Sequence, residues 1–74
     1  MTPTMWCALV DAAEAPALTK HAGGWSPNMG HGYSTRTVEA LVACGFFTIE
    51  GRADKMGARA IITEAGRNFV REGA

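Results

Sequence analysis

The sequence predicts a single α+β domain, and three observations carry that prediction. Apolar residues recur at helical spacing in two places, Trp6, Leu9, Val10 and Ala13 and then Val38, Leu41 and Val42. Two short β-prone runs, Phe46, Phe47 and Ile49 and then residues 58–62, flank the polar loop Gly51-Arg-Ala-Asp-Lys-Met-Gly57. Hydroxyl residues stand at the points where helices should begin, Thr2, Ser34 and Thr63. With 74 residues, 47% hydrophobic and 19% charged, the chain is long enough for one small core and is not disordered in composition.

In chain order, Thr2-Pro3 starts the first helix, because proline at the first helical position loses no hydrogen bond. Pro16 stops it by disfavouring helical geometry at Ala15. Four glycines, Pro27 and Asn28 argue against a long helix between residues 17 and 33. Residues 18–21 read as extended, Gly23-Gly24 as a tight turn, Trp25-Ser26 as a short return strand, and residues 27–32 as irregular. Trp25 can anchor a partner or cover the edge of the core, and the area an aromatic ring buries favours the core.

The second half is organised by a helix over residues 35–44. Ser34 and its hydroxyl neighbours cap it, Glu39 in its first turns suits the positive end of the dipole, and Gly45 falls where a left-handed C-terminal cap is needed. A strand, the glycine-bounded loop and a returning strand follow. Thr63 then caps a last helix carrying Glu64, Ala65, Phe69 and Val70.

This order resembles the second half of a winged helix-turn-helix domain of the kind found in small bacterial or phage-type regulators. The residues that carry the resemblance are Thr37-Val-Glu-Ala-Leu-Val-Ala-Cys-Gly-Phe46, at the end of a recognition helix, and Ile61-Ile-Thr-Glu-Ala-Gly66, after the wing. The resemblance covers roughly the last forty residues and implies a winged-helix-like fold for residues 1–74: three helices with a two- to three-stranded antiparallel wing sheet. The stretch 17–33 departs from the family pattern, so the helix-turn-helix is degenerate where a bracing second helix would stand. The expected core is Trp6, Leu9, Val10, Leu18, Val38, Leu41, Val42, Phe46, Ala60, Ile62, Ala65 and Phe69.

The resemblance implies a DNA-binding, transcription-regulator-like protein with double-stranded DNA as partner. Its reading surface comprises helix 35–44 and the wing 51–57. Turning at 100° per residue, the helix sends Arg36, Ala40 and Ala43 away from the core, with Thr37, Glu39 and Cys44 on the flanks. Arg36 is suited to a guanine edge or a phosphate, Thr35 and Thr37 offer hydroxyls, Ala40 permits close approach, and Glu39 must accept from a cytosine amine to be tolerated. Arg52, Lys55 and Arg59 are the cations for phosphates beside the wing. The competing reading makes Arg36 and Glu39 a solvated i, i+3 pair and Arg52, Asp54 and Lys55 a soluble hairpin tip.

Charge tempers the DNA reading. Seven basic and seven acidic residues sum to zero, which removes long-range attraction to a polyanion. Residues 34–74 hold six cations (Arg36, Arg52, Lys55, Arg59, Arg67, Arg71) against five anions (Glu39, Glu50, Asp54, Glu64, Glu72). A homodimer would double the contacts, and an interaction or assembly module on the same scaffold is the alternative function.

Catalysis is not expected, for no clustered Ser, His and Asp, paired carboxylates or phosphate-binding glycine loop can be assigned. His21 and His31 read as surface histidines, Cys7 and Cys44 as reduced thiols on helices, and no metal or cofactor is expected. The first residues lack a signal peptide's apolar segment and no apolar run approaches the ~18 residues of a membrane span, so a cytoplasmic location away from membranes is expected.

Overall fold

The computed structural model describes residues 1–15, 17–22, 24–27, 32–52 and 55–73. The elements run α1 (Pro3–Glu14), β1 (Ala17–His21), β2 (Gly24–Ser26), α2 (Thr35–Ala43), β3 (Phe47–Glu50), β4 (Arg59–Ile62) and α3 (Glu64–Glu72). Each helix opens on a hydroxyl: Thr2, Ser34 and Thr63 accept from the N–H groups of Met5, Thr37 and Gly66 at 3.2, 3.2 and 3.1 Å. Each bond satisfies one of the donors that a helix N-terminus leaves without an intrahelical partner.

The end of α2 is equally well determined. Gly45 takes a φ of +82°, which glycine adopts without strain. Its N–H donates to the Val42 carbonyl at 2.9 Å while the Phe46 N–H donates to the Leu41 carbonyl at 3.0 Å, the paired bonds of a Schellman motif. Two details of the expected helix change. Cys44 is the cap rather than a helical residue, and the first turn of α2 contains no acid, since Glu39 lies one turn further on and gains little from the dipole.

The sheet is four-stranded and antiparallel, in the order β2-β1-β4-β3, and so larger than the two- to three-stranded sheet expected. The extra breadth comes from two hairpins joined side by side. Within each, Lys20 faces Trp25 and Thr48 faces Ile61; between them, Leu18 faces Ala60. The ladder extends past the start of β4, because the Lys20 N–H donates to the Ala58 carbonyl at 2.8 Å and the Lys20 carbonyl accepts from the Gly57 N–H at 3.0 Å. Among the described residues no helix stands between α1 and α2; the β1–β2 hairpin occupies that part of the chain. Its strand neighbour Trp25 forms an isolated bridge with Tyr33, through N–H to O contacts of 2.9 and 2.6 Å, which closes the neck of the segment between them.

Helix α1 packs on α2, α3, β1 and β4, so the core lies between the helices and the sheet. Leu9, Leu18, Trp25, Val38 and Leu41 are fully enclosed, with Ala8, Ala12, Phe47, Ala60 and Ile62 around them. The Trp25 ring is thus a core element, only 1% exposed. Trp6, Val10, Val42, Phe46 and Phe69, all expected in the core, are half-buried at its margin. There Phe69 stacks on Phe46 with ring centroids 4.8 Å apart and meets Trp6 edge-on at 6.0 Å.

Ala65, also expected inside, is exposed, and Gly66 takes the buried place. The reason is the close approach of α3 to the start of β3. A Cβ at Gly66 would lie 2.7 Å from the Phe46 carbonyl oxygen and 2.7 Å from Ile62 Cγ1. That carbonyl is held by the Thr63 N–H at 2.9 Å, and the Thr63 hydroxyl donates to the Gly45 carbonyl at 2.6 Å. Thr63 therefore caps α3 and fastens it to the end of α2 with the same side chain.

Candidate functional site

Two polar segments meet at strand β1: the amino-terminal turn of α2 and the stem of the β3–β4 hairpin. The hairpin reaches β1 through the backbone of Lys20, as described above, so its position is set by the sheet and not by a free loop. Helix α2 reaches the same strand through Thr35. The Thr35 hydroxyl accepts from the Trp25 indole N–H at 3.3 Å and from Lys20 Nζ at 3.4 Å. The Lys20 ammonium also stands 5.5 Å from the centroid of the Trp25 ring, within cation–π range.

The expected contact residues divide accordingly. Arg36 and Glu39 are exposed on the outer side of α2, as is Ala43. Ala40, expected to face outward, is half-buried, so the free face of the helix is narrower than a simple wheel implies. Thr35 is half-buried and its hydroxyl is engaged by Lys20 and Trp25. Thr37 is half-buried too, its hydroxyl 3.1 Å from that of the capping Ser34.

On the hairpin, Arg52, Lys55 and Arg59 are exposed, while Asp54 lies outside the described residues. The Lys55 N–H donates to the Arg52 carbonyl at 3.0 Å. Arg59 Nη1 lies 3.4 Å from Glu50 Oε1, directly across the ladder. An exposed pair of this kind contributes only ~0–1 kcal/mol, so the guanidinium can exchange that carboxylate for another anion at small cost.

Lys20 is the member of this surface that sequence reasoning missed. Strand alternation marks it as half-buried polar and nothing more, and its position depends on a pairing with β4 that no local pattern announces. Among the described residues no carboxylate pairs with it. Its ammonium stands at the positive end of α2, where a cation is disfavoured by a few tenths of a kcal/mol or more.

A second polar contact braces the helix from behind. The Tyr33 hydroxyl donates to Asp11 Oδ2 at 2.5 Å, tying α1 to the residue before the Ser34 cap. Burial first, and then the hydrogen bond and negative charge of Asp11, raise the Tyr33 phenol above the ordinary tyrosine range. His21, read as a surface histidine, is half-buried, and its Nε2 is enclosed without a hydrogen-bond partner among the described residues; His31 lies outside them.

Among the described residues no group of three or more His, Cys, Asp or Glu side chains is placed to hold a metal ion. Cys7 and Cys44 are free and exposed. No described helix is long and apolar enough to cross a membrane. No protein-family model, curated protein or solved structure matches the chain.

Proposed function

We propose that this protein is a small DNA-binding module on a winged-helix-like scaffold, a binding and not a catalytic protein. It would present the exposed side of α2 and the hairpin 51–57 to a duplex. The observation that carries this reading is the shared anchorage of the two segments at Lys20: its side chain and that of Trp25, opposite it on β2, reach Thr35 at the start of α2, and its backbone holds the stem of the hairpin. A helix for a groove and a basic hairpin for the flanking backbone then move as one body. Arg36 at the helix and Lys55 and Arg59 on the hairpin supply exposed cations. The β1–β2 hairpin takes the bracing role that a second helix has in the family.

Zero net charge sets the expected strength. With only three or four cations on the face formed by α2 and the hairpin, binding should be weak and log K should fall with log salt at a slope between about −2 and −4, steeper in a dimer. A fluorescence anisotropy titration of a labelled mixed-sequence duplex at low salt tests the reading. A folded sample that leaves the duplex free at low ionic strength overturns it.

A second reading, a protein-interaction or assembly module, is favoured by a separate observation. Met56 at the hairpin turn is 73% exposed, and the aromatic margin of Trp6, Phe46 and Phe69 is only half covered. Light scattering on a sizing column tests its homodimer form, and a strict monomer at high concentration counts against it. If both hold, dimerisation forms the DNA-binding unit, with equivalent helices spaced by about one duplex turn.

A further inference from the structure

We propose that Lys20 is a phosphate-contacting residue of this surface, placed in the seam between α2 and the β3–β4 hairpin; the inference rests on the DNA-binding reading. Its backbone holds the hairpin through Gly57 and Ala58, and its side chain reaches the first residue of α2. A phosphate bound at this seam would meet helix and hairpin together.

Three features of the cluster fit this role. The Trp25 ring and the Thr35 hydroxyl both contact the ammonium, which lowers the side-chain freedom to be lost when an anion binds. Of the three donors on an ammonium, the Thr35 hydroxyl takes one, which leaves capacity for a phosphate oxygen. Among the described residues the charge has no carboxylate to satisfy it, in contrast to Arg59 beside Glu50. A residue needed only to pack against Trp25 would do as well with an uncharged stem. Thr35 is then a positioning residue: it orients the ammonium and touches the duplex only through Lys20.

The test compares the full chain with Lys20→Met, which keeps the stem and removes the charge, and with Lys20→Arg, which restores it. Arg71→Met on α3 is the control. Binding of one labelled duplex is measured across a salt series. Lys20→Met should flatten the log K against log salt slope by about 0.9, Lys20→Arg should recover it, and Arg71→Met should leave it unchanged. A slope unaltered in Lys20→Met overturns the proposal even if affinity falls, because lost packing does not change the number of phosphates neutralised. If the unmodified chain binds no duplex at any salt, the DNA reading itself fails and takes this inference with it. A readout independent of the variants is the indole N–H resonance of Trp25. It should shift when duplex is added to the unmodified protein, and an unmoved resonance at saturation overturns the assignment.

Discussion

Replacing Gly66 by alanine sets two effects of known size against each other. In an ordinary helix interior the change stabilises by about 0.5–1 kcal/mol, because alanine loses less backbone freedom on folding. Here the new Cβ would stand 2.7 Å from both the Phe46 carbonyl oxygen and Ile62 Cγ1. The oxygen cannot recede, since it is fixed by the Thr63 N–H at 2.9 Å in the turn that leads into β3. Helix α3 must therefore shift, loosening the Thr63 hydroxyl bond to Gly45 and the stacking of Phe69 on Phe46. Overpacking of this kind costs about 1–3 kcal/mol, so we expect a net loss of up to about 2.5 kcal/mol. In a domain of this size that lowers the melting temperature by up to roughly 20 °C. Thermal melts followed by circular dichroism measure it, with Ala65→Gly as the companion. Ala65 is exposed in the same turn, and its loss should destabilise by propensity alone, about 0.5–1 kcal/mol. Glycine-to-alanine and alanine-to-glycine at adjacent positions should thus both destabilise. A Gly66→Ala protein more stable than the original would refute the close approach of α3 to Phe46.

Leu41→Ala empties the enclosed inner side of α2 and should cost ~2–5 kcal/mol, a large part of the stability of so small a domain; a melt that barely moves would show the helix phase to be wrong. The raised Tyr33 phenol links stability to alkaline pH, since the neutral hydroxyl contributes fully below the unfolded tyrosine value near ~10 and is lost as pH rises through the higher folded value. The original chain should therefore lose more melting temperature between about pH 9 and pH 11.5 than Tyr33→Phe, and parallel losses would remove the linkage. Glu50→Gln should release Arg59 from its ion pair and steepen the salt dependence of duplex binding by up to ~0.9, with stability changed by less than ~1 kcal/mol. An unaltered slope would place Arg59 outside the interface.

What could be read from the residues was the local chemistry. Thr2, Ser34 and Thr63 cap helices because a hydroxyl three residues before a free N–H acts within one turn, and Gly45 closes α2 because its left-handed φ is a property of one residue. The two strands of the β1–β2 hairpin were legible from their residues, although Gly24, read as part of the turn, begins β2, and Gly23 lies outside the described residues. The breadth of the sheet was not legible, because the pairing of Leu18 with Ala60 joins strands far apart in sequence and no turn residue specifies it. Ala65 was assigned inside because helix periodicity treats alanine as apolar, whereas the packing distance at that turn admits no side chain and selects Gly66. In the candidate site, the exposure of Arg36, Glu39, Arg52, Lys55 and Arg59 was legible from their charge, from the phase of α2 and from the glycine-bounded loop. The half-burial of Ala40 and Thr35 and the position of Lys20 depend on how α2 is seated against β1 and β2, which one helix's periodicity does not contain.

The backbone bridge between Trp25 and Tyr33 has a consequence for α2. Because the two residues clasp each other, the ends of the intervening segment are held at a fixed separation whatever lies between them. The bridge therefore fixes where the chain leaves β2 and where it enters the Ser34 cap, so the start of α2 is indexed to the sheet edge by backbone bonds alone and any side chain at position 33 other than proline keeps that registration.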